Sequence, residues 1–253
     1  MPIKIITTTQ ELEGLKPEWD ETLARSDHQA VNLSYDWTLA WWHNFGNTYQ
    51  PYVILVYDAD RRLKGIAPLF RSLASYRGFK IDKLALMANG HSPFAEIVAD
   101  RESVEAVIEA VLEHLETLSD WDLIHFTKMY EAGSTCRALQ NRLKREQKPF
   151  GIKDNIESPY IRIDSDWETF LARRSSKFRK SLRNKLNRAG QSGDLVFEKI
   201  HIADGNSPAL QDMFAVSRQS WKAHSGTDIS SSFASSGFYK ELCDRFGPQR
   251  MAA

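Results

Sequence analysis

Apolar positions along the chain follow two rhythms. Unbroken or alternating runs at Ile3–Thr7, Tyr52–Tyr57, Leu63–Arg71 and Ile81–Met87 read as strands, as do shorter runs near Phe94–Val98 and Trp121–Phe126. Between them, apolar residues recur three and four apart. Val104, Val107, Ile108, Val111, Leu112 and Leu115 predict an amphipathic helix over Ser103–Leu118. Trp37, Trp41 and Phe45 fall four apart, with Trp42 just off their stripe. Ser34 is placed to cap that helix and Gly46 to end it. A helix is also expected over Glu11–Arg25, capped by Thr9 and interrupted or restarted at Pro17, and another over Thr135–Lys144.

Turn chemistry fills the gaps. Asp58–Arg62 is a polar hairpin connection, Tyr76-Arg77-Gly78 a second turn, and Asn89–Pro93 a loop. Pro68 lies inside an expected strand and predicts a bulge or a strand end. The resulting order is strand, helices, several consecutive strands, helix, strand, helix. This is an α/β domain whose mixed sheet starts as a meander, without the strict alternation of a dinucleotide-binding unit.

The later chain is less regular. Pro159–Ile163 and Leu195–Ile200 read as strands, with Asp164 or Ser165 capping a helix that begins at Asp166-Trp167. A second helix is expected from Lys177 to Ala189, stopped by Gly190. Pro208 suits a first helical position, and Leu210, Met213, Phe214, Ser217 and Trp221 carry the helix after it. Phe233–Phe246 is expected to be helical, with a break near Ser236-Gly237.

Composition adds limits. The chain has 253 residues, 42% hydrophobic, which suits one large domain or two smaller ones and excludes a disordered or disulfide-stapled chain. Cys136 and Cys243 are the only cysteines and belong to no ligand-like pair. The N-terminus has no signal-like apolar core, and no stretch approaches the 18 apolar residues of a transmembrane span, so a cytoplasmic location is expected. Thirty-three basic residues balance 33 acidic ones. That neutrality hides an asymmetry: Arg173–Arg188 holds eight Lys and Arg and no acid. Phe178, Leu182 and Leu186 give this stretch a narrow apolar face. It reads either as a solvated basic face on a packed helix or as a surface for phosphate-bearing or otherwise anionic ligands. Single-stranded nucleic acid is a weaker alternative. Double-stranded nucleic acid is not expected, because nothing else supplies a reading module.

No nucleophile elbow, zinc-protease helix, phosphate-binding loop or dinucleotide fingerprint occurs. The seven histidines are scattered, no metal site is expected, and the catalytic residues stay unassigned. His91, in a loop with Glu96 nearby, reads as a turn histidine or as a base or substrate contact. Trp37 reads as core or as a ligand-facing ring.

Several stretches together carry a resemblance: Ser34–Gly46, Leu63–Leu69 ending in Pro-Leu, Trp121–Ile124, Pro159–Ile161, Trp167–Leu171 and Ser176–Arg183. They resemble the acetyltransferase-like proteins of the CelD/BcsL type, associated with cellulose and exopolysaccharide, whose GNAT-kind fold is related to that of FemAB-type aminoacyltransferases. The resemblance implies a GNAT-like mixed sheet flanked by helices over residues 1–165. It implies a basic helical connector over 166–190 and the start of a second GNAT-like half over 191–253, in which Trp221 and Ser225-Gly226 fall early. That half is expected to stop before its cofactor pocket.

The implied activity is transfer of an acyl group from acetyl-CoA or another acyl-CoA to an amine or hydroxyl, with a saccharide or small-molecule acceptor. Such chemistry needs electrostatic support for a developing oxyanion. Lys177, Arg179, Lys180 and Arg183 are the expected cofactor contacts, and Trp37, His91 and Trp221 the expected substrate contacts. In the first half, the turn Ala99-Asp100-Arg101-Glu102-Ser103 lacks glycine and carries two acids, so it should repel a diphosphate. The alternative is a catalytically inactive GNAT-fold interaction module with a protein partner in an envelope-polysaccharide assembly.

Overall fold

The unbroken apolar run at Tyr52 becomes an inner strand of a six-stranded mixed sheet. In order along the chain the strands are β1 (Ile3–Ile6), β2 (Gln50–Tyr57), β3 (Leu63–Tyr76), β4 (Phe79–Leu86), β5 (Val98–Ala99) and β6 (Leu123–His125). The sheet order is β1-β2-β3-β4-β6, with β5 beside β3. β1 to β4 form an antiparallel meander, and β6 runs parallel to β4. The computed structural model describes the chain except for Ile156, Ser158, Ser192, Ala252 and Ala253, and for residues 249–251 it describes the backbone alone.

Both faces of the sheet are covered, which is why β2 shows no polar alternation. Val53 and Leu55 face α1 (Thr9–Glu13), α2 (Lys16–Ala24) and α3 (Tyr35–Phe45), in a core that includes Trp19, Trp41 and Phe238. Tyr52, Ile54 and Val56 face α4 (Val104–Thr117) and α5 (Ser134–Arg145), with Val107, Val111 and Leu139. The expected helix over Glu11–Arg25 is two helices. Thr8, rather than Thr9, caps the first by accepting from the Glu11 amide, and Pro17 enters the second in its first turn. Ser34 caps α3 as expected, accepting from the Trp37 amide.

Pro68 makes no bulge: the β2–β3 register runs through Val53↔Pro68. The irregularity lies between Val56 and Tyr57, opposite Lys64. Pro68 is tolerated because its neighbour changes there. β5 pairs with Gly65 and Ile66 and β4 with Leu69 onward, so the missing N–H falls in the gap. β3 outruns its expected end at Arg71 because Arg77 and Gly78, at φ 49° and 86°, form a two-residue turn that carries the hairpin on. The strand expected near Phe94–Val98 is only Val98–Ala99.

The chain falls into two compact units, Met1–Asp154 with Ile202–Ala253, and Asn155–His201. In the larger unit the late helices are α8 (Pro208–Arg218), α9 (Trp221–His224) and α10 (Phe233–Met251). The helix expected to reach Trp221 ends at Arg218, and Ser220 caps a separate turn. α10 runs unbroken through Gly237, where the missing Cβ leaves room for Asn44 of α3.

The smaller unit holds α6 (Trp167–Ala172) and α7 (Ser176–Gln191), neither with a buried residue. Asp166 caps α6 by accepting from the Thr169 amide at 2.7 Å. α7 continues through Gly190, where a stop was expected. The strands expected at Pro159–Ile163 and Leu195–Ile200 do not form. Those segments pair with no strand and leave Ile163 and Phe197 exposed.

Candidate functional site

Two regions gather the chemistry expected from sequence. In the larger unit, α3 supplies Trp37 and Phe45, the loop after β4 supplies His91, and α10 supplies Ser235, Phe238 and Tyr239. Phe238 is fully buried, with Trp37 edge-on at 5.2 Å and Phe45 at 5.4 Å. The His91 ring stacks on Phe45 at 5.4 Å. Ser235 and Tyr239 lie one turn apart on α10, so both reach the same imidazole. His91 Nδ1 is 3.1 Å from Tyr239 Oη, and Nε2 is 3.2 Å from Ser235 Oγ. Ser232 Oγ donates to Ser235 Oγ at 3.0 Å.

Burial, and then the Lys128 ammonium, hold the His91 pKa below its ordinary value. A neutral ring has one N–H and one lone pair, which suits two hydroxyl neighbours. Ser235 can give its hydrogen to Nε2 while Nδ1–H goes to Tyr239. Trp37 and His91 are thus brought together, but around an internal ring and with both imidazole nitrogens partnered inside the chain. Trp221, on α9, is about three-quarters exposed and makes no ring contact among the described residues.

Glu96 does not join His91. Its Oε2 lies 2.8 Å from His28 Nδ1, and the residue is 5% exposed. Oε1 has no hydrogen-bond partner among the described residues and sits where a Cβ on Gly133 would stand, at the start of α5. Burial raises the Glu96 pKa, against the hydrogen bond from His28. His28 and Glu96 are 68 positions apart, and no local sequence signal pairs them.

The acidic turn before α4 is closed by its own carboxylate. Asp100 Oδ2 accepts from Arg25 Nε at 3.0 Å and Lys64 Nζ at 2.9 Å, and Oδ1 accepts from the Glu102 amide. A phosphate would meet this buried anion rather than free amides.

In the smaller unit, α7 carries the four expected cofactor contacts. Arg179 has a structural task. Its Nη1 donates to the carbonyls of Leu171, Ala172 and Arg174, at 3.5, 3.2 and 2.7 Å, and so fastens the α6–α7 corner. Among the described residues, Lys177, Lys180 and Arg183 form no ion pair. Lys177 and Lys180 line one hollow with Ser181, Asn184, Lys185 and Arg188. Cations without carboxylate partners are chemically suited to a phosphate-bearing group. Among the described residues no cluster of His, Cys, Asp or Glu could hold a metal ion, and no helix is long and apolar enough to cross a membrane.

Residues 176–253 match the family model described as an acetyltransferase (GNAT) domain. No curated protein matches the sequence. Among solved structures, a point mutant of the BH1408 protein from Bacillus halodurans overlaps 64% of this chain and 100% of its own, at 13% identity and a TM-score of 0.36. A tetramutant of the same protein gives 11% identity and a TM-score of 0.35, over 63% of this chain and 100% of its own. Glucosamine-6-phosphate N-acetyltransferase from Arabidopsis thaliana gives 13% identity and 0.34, over 64% of this chain and 100% of its own. Likeness this loose assigns no function. The sheet is mixed and flanked by helices.

Proposed function

We propose that the chain is a GNAT-type acyltransferase that moves an acyl group from acetyl-CoA or a related acyl-CoA to an amine or hydroxyl. The observation that carries this reading is the acetyltransferase match over residues 176–253. Acyl-CoA supplies an activated thioester carbonyl. Lys177 and Lys180, with Arg183, meet the donor's phosphates, and Arg179 keeps α7 at its angle to α6. Residues 191–253 belong with α7 to the acetyltransferase-like part of the chain. In the larger unit Trp221 stands in solvent, while Trp37 and His91 pack against Phe238 and Tyr239 and hold α10 in place. The stretches that resemble the CelD/BcsL type favour a saccharide acceptor in exopolysaccharide synthesis and a cytoplasmic enzyme.

The test is release of free thiol from acetyl-CoA in the presence of amino sugars and neutral sugars. Turnover is expected with at least one acceptor class, falling about tenfold in Lys177→Ala/Lys180→Ala, the scale of 1.4 kcal/mol of lost binding. One observation favours a second reading, a non-catalytic module with a protein partner in an envelope assembly: Asp100 closes the turn before α4 against phosphate. That reading predicts no thiol release with any acceptor, and a stable complex recovered with the tagged chain.

A further inference from the structure

α7 has two faces, and the donor-phosphate reading uses only one. Phe178, Leu182 and Leu186 are spaced four apart, and Ala189 falls on the same stripe. Phe178 is 45% exposed and Leu186 51%, with Leu182 and Ala189 half-buried between them, so the ends of the stripe stand open among the described residues. Lys185 borders it on one side and Arg179 and Arg183 on the other. Lys177, Lys180 and Arg188 lie opposite. The eight cations of residues 173–188 face no acid in their own stretch and leave the rest of the chain at net −8.

We propose that Asn155–His201 docks on an anionic lipid surface, with α7 lying in the headgroup plane and its apolar stripe turned toward the acyl chains. Charge complementarity selects this occupant. A second copy of the chain presenting the same face would set cation against cation. A nucleic acid would use the charge and leave the aliphatic stripe in water. An anionic bilayer uses both, because a basic amphipathic helix buries its apolar face at the headgroup boundary while its cations attract the lipid charge. Lys185 and Arg183, at the edge of the stripe, can lay their methylene stems along it and keep their charges in the headgroups. The acidic remainder of the chain is repelled by the same surface, which leaves the basic stretch as the part that is attracted. Other apolar side chains of Asn155–His201 that stand in solvent, Ile161, Ile163 and Phe197, are also available to such a surface. Arg183 and Lys185 border both faces, but Lys177 and Lys180 point away from the stripe, and this inference does not rest on the acyltransferase reading.

The experiment is flotation of the full chain with vesicles of phosphatidylcholine, with and without phosphatidylglycerol. Partition is expected to be at least about tenfold higher on the anionic vesicles and to weaken as salt shortens the Debye length from about 10 Å toward about 3 Å. Phe178→Asp and Leu186→Asp should each lower partition by about tenfold or more, the order expected for placing a charge in an apolar contact. Both positions are on the surface, so circular dichroism should show unchanged helix. Leu186→Asp should lower vesicle partition while acetyl-CoA still binds as in wild type, which separates failure of the two readings. Three outcomes overturn the proposal. One is no flotation with anionic vesicles at low salt. Another is flotation unaffected by both aspartates, with equal retention on a single-stranded oligonucleotide. The third is a dimer in solution that Phe178→Asp dissociates.

Discussion

Asp100 is 3% exposed and takes hydrogen bonds from Arg25, Lys64 and the Glu102 amide. Burial alone would raise its pKa, but the bonds from Lys64, Glu102 and Arg25 outweigh it and hold the carboxyl below the ordinary value. A carboxyl depressed by folding contributes stability above the unfolded value, about 3.9, and loses it as pH falls through the lower folded value. Asp100→Asn should therefore cost about 2 kcal/mol at neutral pH by urea melting, with the gap to wild type closing under acid. Glu96 carries the opposite sign. Its raised pKa means that stability falls as pH climbs from the ordinary carboxyl value through the folded one. Glu96→Gln should flatten that limb, and a variant whose pH profile overlays wild type would refute the account of burial. Local residue roles such as the Ser34 cap were legible from the sequence, because a cap acts within a single turn. The partners of His91 were not, since Ser235 and Tyr239 lie 144 and 148 positions away.

Between elements, close approach decides more than propensity. A Cβ on Gly65 of β3 would overlap the Val107 side chain of α4. Gly65→Ala should destabilise by about 2 kcal/mol, and Val107→Ala in the same chain should recover part of the loss. Strict additivity of the two changes would show that the helix does not press there. α10 approaches α3 in the same manner, with Gly237 against Asn44 and Phe238 buried beside Trp37. The sequence showed the strands of the meander because their runs are long, and showed α4 because its periodicity is strict. It failed at Pro159–Ile163 and Leu195–Ile200. A run such as Tyr-Ile-Arg-Ile has β propensity whether or not a neighbour exists to pair with, and propensity says nothing of the neighbour. Pro68 misled for the related reason that a gap between two partner strands is invisible along one strand.

At the scale of the molecule, residues 202–253 compact with residues 1–154 even though 155–201 separate them in the chain. The tie is specific. His43 Nδ1 and Asn44 Nδ2 both reach Glu241 at 2.8 Å, Arg245 reaches Asp36, and Phe238 is fully buried. Brief trypsin treatment should cut first within Arg173–Arg188, where the cations are dense and exposed. The two pieces should then co-elute on gel filtration in native buffer and part only in denaturant. Separation of the C-terminal piece without denaturant would contradict the packing of α10 on α3. The zero net charge, bland as a total, marks a basic helix set against an acidic remainder, and that asymmetry underlies both proposed anion contacts.

Calorimetric titration of the full chain with acetyl-CoA tests the central claim most directly. The account predicts saturable heat that weakens about tenfold in Lys177→Ala/Lys180→Ala while His91→Gln, in the other compact unit against α10, leaves it unchanged. Absence of heat at millimolar acetyl-CoA, or binding indifferent to both lysines, would contradict it.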